Sequence, residues 1–229
     1  MEQFLKNVNT FNGGIFADNV SGRISTLIVA KEKDEIALML NKIKIMLEET
    51  VVDCDIVCLR NGELNPMQTD ECLSIKYYGD NIETVLADLV QYAKNCKSVV
   101  SKKRCKSLVE YNKTLKVFDS RRTIIVIPNL DTLLNNSSNA MLIKNYIIQL
   151  VKMEEYSGVG VVACSTLEVD DGLDFCLLNV FNSRVLFNVD DNNLVRDVSL
   201  GMYKSTEMLE INEFYYFSNN YRNGILLSM

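Results

Sequence analysis

Hydrophobic positions along the chain switch repeatedly between two periods. Residues 23–30 (RISTLIVA) are β-branched and apolar with no polar alternation, the pattern of a strand covered on both faces of a sheet. From Lys33 to Glu49, Ile36, Met39, Leu40, Ile43, Met46 and Leu47 recur at spacings of three and four, which predicts an amphipathic helix. Asp34 and Glu35 suit the positive end of that helix. DIVCL (55–59) and LSIKYY (73–78) read as two strands around the polar turn NGELNP, and Ile82, Val85, Leu86, Leu89 and Ala93 share one face of a helix over 81–96. A third helical stretch is expected over about 97–117. TIIVI (123–127) is a short buried strand stopped by Pro128, which cannot donate a ladder hydrogen bond. After the polar loop NNSSN, Leu142, Ile143, Tyr146, Ile147, Leu150 and Val151 mark a further helix. GVGVVACS (158–165), RVLFNV (184–189), EFYYF (213–217) and GILLSM (224–229) supply the remaining strands, the last two placed to form a hairpin. This alternation predicts an α/β fold: a doubly wound, mainly parallel sheet with helices on both faces, as one domain over residues 1–229.

Composition narrows the chemistry. The 229 residues include no histidine, so a Ser-His-Asp triad, a Cys-His nucleophile pair and an imidazole base are excluded within the chain. The seven cysteines, Cys54, Cys58, Cys72, Cys96, Cys105, Cys164 and Cys176, are odd in number and irregularly spaced, and read as reduced thiols. Cys54 and Cys58 fall on one strand face and are expected to pack in the core, and no metal site is expected, since no second thiol or imidazole pair completes a zinc shell. No run reaches the roughly 18 to 20 apolar residues of a membrane span, and the first residues lack the pattern of a signal peptide. The chain reads as cytosolic, either free or as a domain of a larger membrane protein.

Charge is unevenly spread. The chain carries 24 Lys or Arg against 30 Asp or Glu, for −6. Residues 97–122 hold nine cations against Glu110 and Asp119, a local +7 that leaves −13 for the rest. Such a segment is usually a solvated helix face, but it could grip phosphates or an acidic partner. Nucleic acid is the less favoured partner, because no aromatic platform or known reading motif accompanies the cations. The acidic cluster Asp170, Asp171 and Asp174 lacks the spacing of a calcium loop and reads as solvated.

The order of elements looks like a P-loop NTPase of the RecA/FtsK kind with its chemistry removed. A working Walker A loop needs glycines, so that backbone amides wrap the phosphates, and a Lys-Ser/Thr pair for the γ-phosphate and Mg²⁺. At that position stand Ala30, Lys31, Glu32, Lys33 and Asp34, and no glycine occurs between Gly22 and Gly62. Glu32, Asp34 and Glu35 would repel a triphosphate. The Walker B strand ends in Pro128 and Asn129 where an active enzyme has Asp-Glu for the metal and the attacking water. Asp131 lies two residues beyond and is not expected to substitute.

With these positions, the chain resembles the FtsK/SpoIIIE-type translocase ATPases. LVEYNKTL resembles the signature Tyr-Asn pair of that family at Tyr111 and Asn112. VDCDIVCLRNGELNP is similar to the strand that follows the P-loop helix. In GVGVVACSTLEVD, Cys164, Ser165 and Thr166 match an Ala-Thr-Gln position, and Arg184 matches a family arginine. The lost motifs, a composition rich in Asn, Lys and Ile, and the end of the chain after the last strand are most similar to the third ATPase-like domain of the membrane-bound coupling protein of type VIIb secretion systems.

That resemblance implies a fragment of a larger multi-domain protein, cytoplasmic but anchored through its parent. Its implied partners are secreted WXG-type helical-hairpin substrates and the adjacent ATPase domains of the same chain. The family uses ATP and Mg²⁺, but with both motifs degenerate no cofactor and no catalytic residue are expected here, and the domain is read as nucleotide-independent, recognising substrates or regulating its neighbours. Two alternatives stay open: an active translocase ATPase with a site rebuilt from Lys31, Lys33 and Asp131, and a nucleic-acid-binding module using residues 97–122.

Overall fold

The computed structural model describes residues 9–10, 24–50, 54–59, 74–79, 81–116, 122–166, 175–189, 195, 198–199, 206, 209–210, 213–218 and 225–228. The first half comprises β1 (Asn9–Thr10), β2 (Thr26–Val29), α1 (Lys33–Thr50), β3 (Cys54–Leu59), β4 (Ser74–Tyr78), α2 (Ile82–Lys102) and α3 (Leu108–Leu115). The second half comprises β5 (Arg122–Ile127), α4 (Leu130–Asn135), α5 (Ala140–Ser157), β6 (Val159–Ser165), α6 (Phe175–Val180), β7 (Ser183–Leu186), β8 (Glu213–Phe217) and β9 (Ile225–Ser228).

The strands form one sheet in the order β1-β9-β8-β7-β2-β6-β5-β3-β4. From β7 to β4 every pairing is parallel, and β8 enters antiparallel to both β7 and β9. Buried parallel strands lack polar alternation because both pleat faces are covered. Accordingly Ile124 and Val126 of β5 pack on one face, with Ile36, Met39, Leu40 and Ile43 of α1. Ile125 and Ile127 pack on the other, with Leu86 of α2, Leu133 of α4, Ile147 of α5 and Leu177 of α6. The doubly wound, mainly parallel architecture is therefore observed, and the last two strands do form the expected antiparallel hairpin.

The helix expected over 97–117 is two pieces. α2 continues to Lys102, the chain turns with Arg104 in the left-handed region (φ 57°), and α3 begins after Ser107. Ser107 Oγ accepts from the Glu110 amide at 3.1 Å, and the Glu110 carboxylate accepts from the Lys106 amide at 2.6 Å, a reciprocal cap that fixes the new start. Hydrophobic periodicity does not mark this break, whereas Ser107 followed three residues later by Glu110 is the sequence signature of such a helix start.

At the amino edge of the sheet, Gly158 ends α5 with φ 70°, a conformation that glycine adopts without the Cβ penalty, and β6 starts at the next residue. Buried Glu154, in the last turn of α5, accepts from the amide of Ile24 and from that of Ser25 at 3.1 Å, tying the approach to β2 to the helix. Burial pushes the Glu154 carboxyl above its ordinary value, and hydrogen bonds from Ser25 and Ile24 and the charge of Arg122 oppose that shift.

Among the described cysteines, Cys58, Cys96, Cys105, Cys164 and Cys176 are free thiols. Cys58 and Cys164 are buried on the α1 face, and burial, with Cys58 and Asp131 nearby, pushes the Cys164 thiol upward, away from thiolate reactivity. The Cys54 side chain, Cys72 and the cluster Asp170, Asp171 and Asp174 lie outside the described residues.

Candidate functional site

In open parallel sheets, ligands bind beyond the carboxyl ends of strands whose connections leave toward opposite faces. β2 and β6 are such a pair here: β2 leads into α1 on one face, and the helix after β6, α6, packs on the other. Register aligns Val29 with Ser165 on β6 and with Leu186 on β7, so Ala30, Thr166 and Phe187 share the next level. Hydrogen bonds close that level, from the Ala30 amide to the Ser165 carbonyl at 3.1 Å and from the Phe187 amide to the Val29 carbonyl at 3.0 Å.

Ala30 is buried, and only Lys31 and Glu32 separate it from the first residue of α1. Lys31, Glu32, Lys33 and Asp34 are exposed. Glu35, half-buried behind them, has its carboxyl raised by burial, lowered by the Glu32 amide and raised again by the Glu32 charge. Its Oε2, the Thr166 hydroxyl and the Asn188 Oδ1 are buried polar atoms with no hydrogen-bond partner.

At the end of β5 the chain turns directly into α4. Pro128 is buried, and Asn129 caps the helix, its Oδ1 accepting from the Thr132 amide at 2.8 Å. This cap keeps Asp131 in the first turn, within reach of the end of β6. The carboxylate is 2% exposed, and it accepts from the Ser165 hydroxyl at 2.8 and 3.0 Å and from the Thr166 amide at 3.0 Å. Asp131, set aside in the sequence as too far beyond the strand, thus sits at the centre of the edge. The missed signal was the Asn129 cap, which starts a helix at once and turns two residues of chain into little displacement.

The remaining family-matched positions lie elsewhere. Arg184 is 1% exposed and donates to the carbonyls of Leu178 at 2.7 Å, Val198 at 3.0 Å and Phe181 at 3.2 Å. It ties the end of α6 to β7 and to Val198. Tyr111 and Asn112 are half-buried on α3, which precedes β5 and so belongs to the amino edge of the sheet, away from Asp131.

A cleft of about 400 Å³ opens on the carboxyl edge beyond β4, lined by Asn81, Glu83 and Thr84 of the α2 start and by Leu133, Asn136 and Ser138. Glu83 is held at its rim by the Asn139 side-chain amide at 2.9 and 3.0 Å. Met141 and Leu142, a few residues further along the chain, are 68% and 41% exposed. Among the described residues, no group of three or more Cys, Asp or Glu is placed to hold a metal ion, and no helix is long and apolar enough to cross a membrane.

No protein-family profile matches the chain, and no curated protein matches it by sequence. Solved structures do match. The pCW3 conjugation coupling protein TcpA, in a monomer form with ATPγS, superposes with a TM-score of 0.73 at 14% identity, over 90% of this chain and 60% of its own. The cytoplasmic domain of the Thermomonospora curvata type VII secretion ATPase EccC gives 0.62 at 16% identity, over 86% of this chain and 24% of its own. ATPases 2 and 3 of EssC from Geobacillus thermodenitrificans give 0.62 at 12% identity, over 88% and 38%. These neighbours are FtsK/SpoIIIE-type ATPases, and at such identities they establish the P-loop NTPase-like fold. The chain spans between about a quarter and three fifths of their lengths.

Proposed function

We infer that this chain is an ATPase-fold domain of a secretion motor of the EccC and EssC kind, and that it acts by binding protein partners rather than by turning over nucleotide. The observation that carries this reading is the Asp131 clamp. Both carboxylate oxygens are engaged by Ser165 and Thr166 within the fold, and the neighbouring Walker B position is spent on the Asn129 cap. The residues present do not fit a nucleoside triphosphate with its divalent cation. The strand passes to α1 through Lys31 and Glu32 without a glycine loop, and three carboxylates, Glu32, Asp34 and Glu35, follow where phosphate would approach. Titration calorimetry with ATP and Mg²⁺ is expected to give no saturable heat up to low-millimolar nucleotide. Saturable binding, or hydrolysis lost in Lys31→Ala, overturns the reading in favour of an active ATPase.

For the partner we assign the first turn of α5, where Met141 and Leu142 stand exposed. Methionine adapts to varied apolar surfaces, and an amphipathic helix docks by apolar anchors at helical spacing. Helical-hairpin proteins secreted by the same system, and neighbouring ATPase domains of the parent chain, are the partners proposed. A pull-down with such substrates should succeed with the native chain and weaken about tenfold in Met141→Glu, a cost of about 1.4 kcal/mol. Equal capture by both forms removes this surface from the reading.

A further inference from the structure

The corner formed by the last turns of α2, the 103–107 turn and α3 stands apart among the described residues. α3 buries none of its eight residues. Val99, Val109 and Leu115 are 47%, 41% and 50% exposed, and Lys102, Lys103, Arg104, Lys106, Lys113 and Lys116, all exposed, are interleaved with them. The backbone beneath is nonetheless firmly held. Cys105 is buried, its amide donates to the Val100 carbonyl at 3.2 Å, and the Ser107–Glu110 cap fixes the start of α3.

Two residues of this corner adopt the left-handed conformation without being glycine: Arg104, with φ 57°, and Lys116, with φ 54°. A side chain there strains the backbone, and glycine would relieve it. Both positions close a helix C-terminus, where a left-handed residue is a common stop, and each carries a cation where glycine would fit without strain.

The chemistry selects the partner. Between residues 97 and 116 the cations are six lysines and one arginine. Lysines are mobile point charges, whereas the planar fork of arginine suits fixed carboxylate or phosphate pairs. Exposed aliphatic side chains among lysines have no use on a nucleic-acid backbone, but they enter the headgroup boundary of a bilayer. Screening acts over about 8 to 10 Å at ordinary salt, so the local +6 of residues 97–116, seven cations against Glu110, decides, not the net −6 of the chain.

We propose that the α2–α3 corner docks this domain on an anionic lipid surface, with Lys102, Lys103, Arg104, Lys106, Lys113 and Lys116 meeting the headgroups and Val109 and Leu115 entering the acyl boundary. The corner lies at the amino edge of the sheet, so docking leaves the carboxyl edge facing away. The proposal is independent of the nucleotide reading.

Co-sedimentation of the full chain with phosphatidylglycerol–phosphatidylcholine vesicles should show binding that weakens as salt rises, with none on phosphatidylcholine vesicles. Val109→Glu with Leu115→Glu should reduce partition about tenfold. Arg104→Gly with Lys116→Gly should lower partition severalfold while raising the thermal midpoint, a pairing that loss of fold cannot produce. No partition onto the anionic vesicles overturns the proposal, as does partition unchanged in the glutamate variant. Binding to duplex DNA tighter than to vesicles overturns it in favour of nucleic acid, and capture by an acidic protein without vesicle binding does so in favour of a protein surface.

Discussion

Ser165, the last residue of β6, donates its hydroxyl to the carboxylate of Asp131 in the first turn of α4, at 2.8 and 3.0 Å, with both residues buried. The adjoining Thr166 amide adds a third bond at 3.0 Å, so one carboxylate holds the end of β6 to the helix that leaves β5. β5 and β6 are neighbours, and this clamp ties their carboxyl ends together beside the β2–β6 switch point.

Removing the carboxylate strands two buried donors, so Asp131→Ala is expected to lower unfolding stability by about 3 kcal/mol, and Ser165→Ala by about 1 kcal/mol, because the Thr166 bond survives there. Urea unfolding of the three proteins measures both. Asp131→Ala within about 0.5 kcal/mol of the native chain would mean that the clamp carries no stability.

Arg184 makes a parallel case on the other side of β2. Three carbonyls accept from its guanidinium, and lysine, a compact ammonium on a flexible stem, cannot reach all three in the same geometry. Arg184→Lys should therefore cost about 2 kcal/mol and Arg184→Ala more, as a buried network loses its donor. A lysine variant as stable as the native chain would show that charge, not the fork, is what the site needs.

These two residues mark where the sequence was legible. Apolar runs such as 123–127 and 158–165 announced β5 and β6, because strands buried on both faces need continuous β-branched side chains. The order of those runs sufficed for the doubly wound sheet. α4 and α6, six residues each, are too short to show a helical period, and the break at Arg104 lies in backbone conformation rather than hydrophobicity. The roles of Asp131 and Arg184 were hidden for another reason. Their partners lie 34 residues away for Asp131, at Ser165, and 14 away for Arg184, at Val198, and are a hydroxyl and a carbonyl that any sequence could supply.

Glu154 gives a pH prediction. Its folded carboxyl lies above the ordinary value of 4.5, chiefly through burial, so between 4.5 and the folded value the native chain binds the proton more tightly than the unfolded one. The stabilisation from this group is complete below 4.5, falls as pH rises through that window, and is flat above it. Urea midpoints of the native chain and of Glu154→Gln, measured across pH, isolate the contribution. The difference, native minus variant, should fall with rising pH in the window. A difference that is constant or rises there contradicts the buried, raised carboxyl.

The same carboxylate explains a glycine. A Cβ on Gly160, in the second position of β6, would stand 2.9 Å from Glu154 Oε1 and 3.4 Å from Ile24 Cβ. The carboxylate cannot simply move aside, because it is held by the amides of Ile24 and Ser25. Gly160→Ala should therefore destabilise the chain by about 2 kcal/mol despite the better strand propensity of alanine. In a Glu154→Ala background the close atom is gone, and the Ile24 contact asks for a shift of only a few tenths of an ångström. The alanine at 160 should then cost less than about 0.5 kcal/mol, a coupling of at least about 1 kcal/mol between the two sites. Additive effects in that double-mutant cycle would place the need for glycine in the β6 backbone instead of in the space claimed by Glu154.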